Sequence, residues 1–398
     1  MNQLYTERER RFVDLAAQLA DEFAPRAAAY DISGEFPHEN YARMKESGYT
    51  LMTIPEELGG QGASLLERIK AQERLARGCG ATALAVNMHF NVSDLLIDLW
   101  TRFRDPKIGD KLRRIAAERL ICGGTNSEPD NAAIFRQPRT TARRVAGGYE
   151  INGRKIFATQ SIAMDLYYME ATWREAPQGP TIISFYVPVR ETPGIVFKDD
   201  WNTMGMRATA SRGVEIQQAF VPDSAVVMER PVGSTILASR AFVTNPFAIG
   251  APYIGIALAA RDFTVDFMRD RPRYPLKHPM SHLPAVYNKV GEMDILIEGA
   301  RAVMWKAAAE LEFEPPTEWV RKAVAAKYIA VENSMRVVDL AMRAVGGASY
   351  YKRFPLERWF RDVRAGVYHP FDSDEGLEFV GKSAFGISMI EDMETGED

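Results

Sequence analysis

The chain has 398 residues, 46% of them hydrophobic and 26% charged, enough for roughly two to three structural units and a large core. Its 49 basic and 53 acidic residues leave a net charge of −4 and are interspersed along the whole length, so nothing points to nucleic acid as a partner. Cys79 and Cys122 show neither metal-ligand spacing nor a disulfide framework, and the start, MNQLYTERERRFVDL, has no apolar signal core, which together lead us to expect a cytoplasmic protein.

From Tyr5 to about Leu120 the periodicity is helical: Phe12, Leu15, Ala16, Leu19 and Phe23 form one stripe, and a second follows Pro37. Gly59, Gly60 and Gly62 interrupt it without completing a G-x-G-x-x-G dinucleotide fingerprint. Between about Ile121 and Arg230 the period moves toward two. There Asn152-Gly153, between Tyr149-Glu150-Ile151 and Arg154-Lys155-Ile156-Phe157, predicts a type I′ hairpin turn, and further strands are expected at Thr181 to Val189 and Gly213 to Val221.

After Pro231 the helices return. Pro315-Pro316 stops one and Thr317 is placed to cap the next, where Val320, Val324, Tyr328, Val331, Met335, Val338 and Met342 recur at helical spacing. The longest apolar run, around Phe247 to Ala260, reads as too short and too interrupted by Gly and Pro to span a bilayer, and the ending EDMETGED as a solvated tail. The expected architecture is α+β multidomain: an N-terminal α-helical domain over 1–120, a middle β-barrel-like domain over 121–231, and a C-terminal four-helix bundle over 232–398.

Five motifs then carry a resemblance. Ser47 to Gly62, Thr125-Asn126-Ser127-Glu128-Pro129, Asn152 to Thr159, Met204 to Ser211 and the stretch MRAVGGASYYKRFPLERWFRDVRAGVYHP from Met342 to Pro370 resemble, in order, the signature segments of the acyl-CoA dehydrogenase superfamily. The resemblance implies the acyl-CoA dehydrogenase fold, a homotetramer, and FAD as cofactor, with FMN possible. On the matching positions, Asn126 and Ser127 meet the flavin edge, Phe157 packs on the ring and Thr159 bonds near N5. Arg271 (or Arg273), Arg343, Gly346 and Gly347 would hold phosphates across a subunit contact, the bare Gly-Gly turn admitting backbone N–H groups. The pattern also departs from the family: Asn131-Ala132-Ala133-Ile134 replaces Gly-Ser-Asp, Pro284 stands where a Gln is usual, and Phe371 stands where a Thr is usual.

The largest departure is at the base. The family's usual catalytic Glu falls on His369, and the alternative position of that Glu falls near Asn245, so neither holds a carboxylate. His369 is therefore the candidate catalytic residue; its neutral imidazole could accept a proton, and histidines at this position occur in the flavin monooxygenase branch of the same superfamily. Asp372, Asp374 and Glu375 lie close enough in sequence to orient the ring or replace it. His38, His89, His278 and His282 fit no ligand spacing and read as structural, and no metal is implied. The leading expectation is α,β-dehydrogenation of an acyl-CoA or other acyl thioester, with an electron-acceptor flavoprotein as partner. The alternatives are flavin-dependent monooxygenation supplied by a flavin reductase, and a flavin-binding scaffold without turnover.

Overall fold

The computed structural model describes residues 5–131, 137–234, 240–311 and 317–387. Six helices come first: α1 (Glu7–Phe23), α2 (Ala27–Ser33), α3 (His38–Glu46), α4 (Leu65–Ala76), α5 (Gly80–Phe103) and α6 (Pro106–Glu118). Thr6 with Glu9 and Ser64 with Glu67 form reciprocal capping boxes that satisfy the free N–H groups opening α1 and α4. The α1 stripe turns inward as its spacing requires; Phe12, Ala16, Leu19 and Phe23 are buried.

Eight strands follow: β1 (Cys122–Gly124), β2 (Thr141–Val145), β3 (Gly148–Ala158), β4 (Leu166–Trp173), β5 (Thr181–Pro188), β6 (Ile195–Phe197), β7 (Arg212–Pro222) and β8 (Val226–Pro231). They form one sheet in the order β6-β7-β3-β2-β4-β5-β8, mostly antiparallel, with β1 and β2 each parallel to β4. The expected Asn152-Gly153 hairpin is wrong. The turn falls earlier, at Ala146-Gly147, where Gly147 has φ 77° and Val145 pairs with Gly148. Asn152 and Gly153 lie inside β3 at a bulge against β7. The Asn152 side chain accepts from the Gln218 N–H at 2.8 Å, and a Cβ on Gly153 would come within 2.6 Å of the Thr140 hydroxyl. The glycine thus serves close approach of two strands, a tertiary demand that outweighs the local turn preference.

Helices then return as α7 (Arg240–Arg269), α8 (Pro284–Ala309), α9 (Thr317–Val345), α10 (Leu356–Val363) and α11 (Ser373–Ala384). The expected Pro315-Pro316 stop, the Ala132–Ile134 departure and the acidic tail lie outside the described residues. Contrary to expectation, Val243–Arg269 is long and apolar enough to cross a membrane; Pro246 and Pro252 do not end the helix. It is the central core helix, with 94% of its most apolar window buried. The Asn87 amide of α5 donates to the Ala248 carbonyl, the group that Pro252, lacking an N–H, leaves without its helical donor. One hydrophobic cluster runs from α1, α4 and α5 through α7 into α8 and α9, and a second lies within the sheet.

Candidate functional site

A cavity of about 510 Å³ opens where the sheet meets α5, α7 and α10. The loop after β1 contributes Thr125, Asn126 and Ser127, and the end of β3 contributes Phe157 and Thr159. The loop before β7 adds Trp201 and Met204, α5 and α7 add Asn91 and Asn245, and the segment after α10 adds Arg364, Tyr368 and His369.

Each wall has a local cause. Glu128, next to Ser127, is buried and gathers the β1 loop: one carboxylate oxygen accepts from Lys155 at 2.7 Å and from the Thr140 N–H and hydroxyl, the other from the Asn131 amide and the Arg139 N–H. Burial alone would raise this carboxyl, but the buried Lys155 ammonium and the other donors outweigh it and hold it at about 2. The motif's acid is therefore spent on positioning Asn126 and Ser127. The Asn126 amide oxygen itself has no partner among the described residues. At the end of β3, Phe157 adopts φ 60° and is 56% exposed as a residue, its ring edge-on to Trp201 at 6.3 Å. A bulky residue in the left-handed region is strained, and here the strain turns an aromatic face outward at the rim. Behind it the hydroxyls of Thr159, Ser211 and Thr209 form a chain with steps of 2.8 Å.

Arg361 fixes the opposite rim. It meets both carboxylate oxygens of Asp31, at 2.9 and 2.6 Å, and bonds the Met204 carbonyl and Glu357. Its neighbour Asp362 accepts from the Met206 N–H at 2.6 Å, and burial lifts that carboxyl to about 6. Arg364 lies over the Phe360 ring and has no carboxylate partner among the described residues.

His369 lines the cavity, and its Nε2 lies 2.9 Å from the hydroxyl of the fully buried Tyr253. Buried Lys327 donates to the carbonyls of His369, at 3.2 Å, and Phe371, at 2.6 Å. Burial, reinforced by that ammonium, pushes the His369 imidazole down to about 3, and burial takes Lys327 down to about 8. No Asp or Glu lines the cavity among the described residues. Asp372 and Glu375 are committed elsewhere: each accepts from the other's backbone N–H, at 2.8 and 3.0 Å, in a capping box that opens α11. Neither they nor Asp374 reaches the cavity wall.

Of the residues expected from sequence, the cavity thus brings together Asn126, Ser127, Phe157, Thr159 and His369. It does not include Arg271, Arg343, Gly346 or Gly347. Arg271 packs on the Phe267 ring, Arg343 pairs with Asp339 at 2.7 Å, and the two glycines are exposed, with nothing within 4 Å of an added Cβ. His89 is structural, as expected: Nε2 donates to the Thr50 carbonyl at 2.7 Å and Nδ1 accepts from the Cys122 N–H at 3.0 Å. Sequence reading passed over Tyr253, Lys327, Trp201 and Asn91. Only the Phe360-Arg361-Asp362 step carried a signal for the rim, since it was visible as part of a motif.

Three family profiles match the chain: acyl-CoA dehydrogenase N-terminal domain over residues 6–101, middle domain over 125–219 and C-terminal domain over 247–373. YdbM of Bacillus subtilis, assigned by name to the acyl-CoA dehydrogenases, is 30% identical over 96% of this chain and 98% of its own length. Among solved structures, butyryl-CoA dehydrogenase from Megasphaera elsdenii superposes with TM-score 0.87 at 23% identity, covering 97% of this chain and all of that one. A nitrososynthase from Micromonospora carbonacea superposes with TM-score 0.83 at 26% identity, covering 96% and 98%.

Proposed function

The chain belongs to the acyl-CoA dehydrogenase family, and from that premise we propose that it is a flavin-dependent monooxygenase acting on a small molecule held in the cavity. One observation carries the choice within the family: among the described residues, the cavity wall holds no carboxylate. Removing a proton α to a thioester needs a group that is deprotonated yet basic enough at neutral pH, and the group standing nearest that role is the His369 imidazole, whose Nε2 already meets Tyr253 and whose basicity burial lowers to about 3. Oxygen insertion needs no such base.

The residues fit a flavin. Phe157 offers a bare aromatic face, Thr159 and Ser211 offer hydroxyls, and among the described residues the Asn126 amide oxygen lacks a partner and Arg364 is a cation without a carboxylate. Reduced flavin, when bound, would supply two electrons to oxygen, so that one oxygen atom enters the substrate and the other leaves as water. Phe157 and Trp201 would wall the ring, and Arg364 would meet an anionic group of cofactor or substrate. His369, neutral and fixed, would orient what lies beside it. A flavin reductase is the partner this chemistry requires.

The test is anaerobic. Flavin-loaded protein should not bleach with any member of an acyl-CoA panel in the absence of oxygen, whereas after reduction by an external reductase it should consume oxygen. Anaerobic bleaching by an acyl-CoA would instead establish α,β-dehydrogenation.

A further inference from the structure

We propose that Tyr253 is a positioning residue that sets the tautomer of His369, so that the imidazole presents an Nδ1–H donor to the cavity. The argument is one of hydrogen-bond supply. Tyr253 is fully buried on α7, and its hydroxyl has one partner among the described residues, the Nε2 of His369 at 2.9 Å. A phenol has one hydrogen to give, and a neutral imidazole has one nitrogen that donates and one that accepts. If Nε2 carried the proton, the Tyr253 hydrogen would be stranded in the core, an arrangement that costs as much as a lost hydrogen bond. Tyr253 therefore donates, Nε2 accepts, and the ring proton sits on Nδ1.

The surroundings hold this arrangement in place. Lys327, buried on α9 with no carboxylate within ion-pair reach among the described residues, donates to the carbonyls on both sides of Pro370 and so clamps the segment that carries the ring. Its positive charge disfavours a second proton on the imidazole. Gly366 fits under Tyr253, where a Cβ would come within 3.2 Å of the ring and 2.7 Å of Val331, so the phenol is held from below as well. His89 shows the opposite assignment in the same molecule: it donates from Nε2 because its partner there is a carbonyl.

The consequence for chemistry rests on reading the cavity as the ligand site. An Nδ1–H donor stabilises an acceptor or developing negative charge on a bound molecule, whereas an Nδ1 lone pair would remove a proton from one. Tyr253 thereby disposes His369 toward donation.

The experiment is nitrogen NMR on protein labelled in its histidine rings, measured as purified and with flavin added, with His369→Asn assigning the signal. We expect His369 to carry its proton on Nδ1 between pH 8 and 5, and Tyr253→Phe to move the tautomer ratio toward Nε2–H by about tenfold or more, the worth of one such hydrogen bond. An Nε2–H signal in the wild-type protein, or an unchanged ratio in Tyr253→Phe, overturns the proposal. If Tyr253→Phe does not fold, the wild-type spectrum decides alone. Loss of flavin binding with the tautomer intact would count against the functional reading and leave this inference standing.

Discussion

At the scale of single residues, the molecule commits its acidic groups to structure and leaves no carboxylate at the site among the described residues. Glu128 fixes a loop, Asp362 fixes a strand entry, and Asp372 caps a helix. His89 and His369 are both held neutral, at about 4 and about 3, by burial first. Because their folded values lie below the ordinary value near 6.5, the unfolded chain takes up protons that the native state refuses. Their contribution to stability is complete above pH 6.5 and is lost as pH falls toward the folded values, at up to about 1.4 kcal/mol per pH unit for each ring. We therefore expect stability in urea melts to fall between pH 6.5 and 5, before most carboxylates titrate, and His369→Asn to flatten that slope. A slope unchanged by His369→Asn would mean that the ring already titrates normally in the folded protein.

At the scale of elements, α7 shows how a helix with internal prolines remains the central core helix. Asn87 is buried on α5, accepts from the Gln72 amide at 2.7 Å and donates to the Ala248 carbonyl. Asn87→Ala should destabilise the fold by about 3 kcal/mol, since it strands a carbonyl and an amide in the core. Pro252→Ala supplies the missing N–H from within the helix, so it should recover about 1 kcal/mol in the Asn87→Ala background, provided Ala is accommodated there. Paired melts at one protein concentration measure this coupling. Strict additivity would show that the Asn87 bond does not compensate for Pro252. β3 holds the complementary lesson: its bulge gives Phe157 its outward ring, so the strand's irregularity, and not its pairing, makes the site.

At the scale of the whole molecule, Arg361 ties three segments together, because one guanidinium grips Asp31 after the first helix, the Met204 carbonyl in the loop before β7, and Glu357 on its own helix. The outer face of α8 carries an exposed apolar stripe. Tyr287, Gly291, Ile295, Gly299 and Val303 recur every fourth residue on one side, with Ile295 75% exposed and nothing near the two glycines. That stripe, and the exposed Gly346-Gly347 turn, lead us to expect a homo-oligomer by light scattering and a smaller species for Ile295→Glu; a wild-type monomer would contradict both. The amino-acid sequence by itself determined the α, β, α order, the helical stripes and the five motifs. Those signals act within one or two turns of chain, where periodicity and turn residues are enough. It also marked His369 and Asn245 as the places where an acid is missing. Only the tertiary structure decided that Gly153 passes Thr140 within a strand, that Asp372 and Glu375 turn to each other, and that His369 meets Tyr253, 116 residues away. These outcomes depend on which groups are buried beside which, and packing between distant segments sets that where no local pattern can.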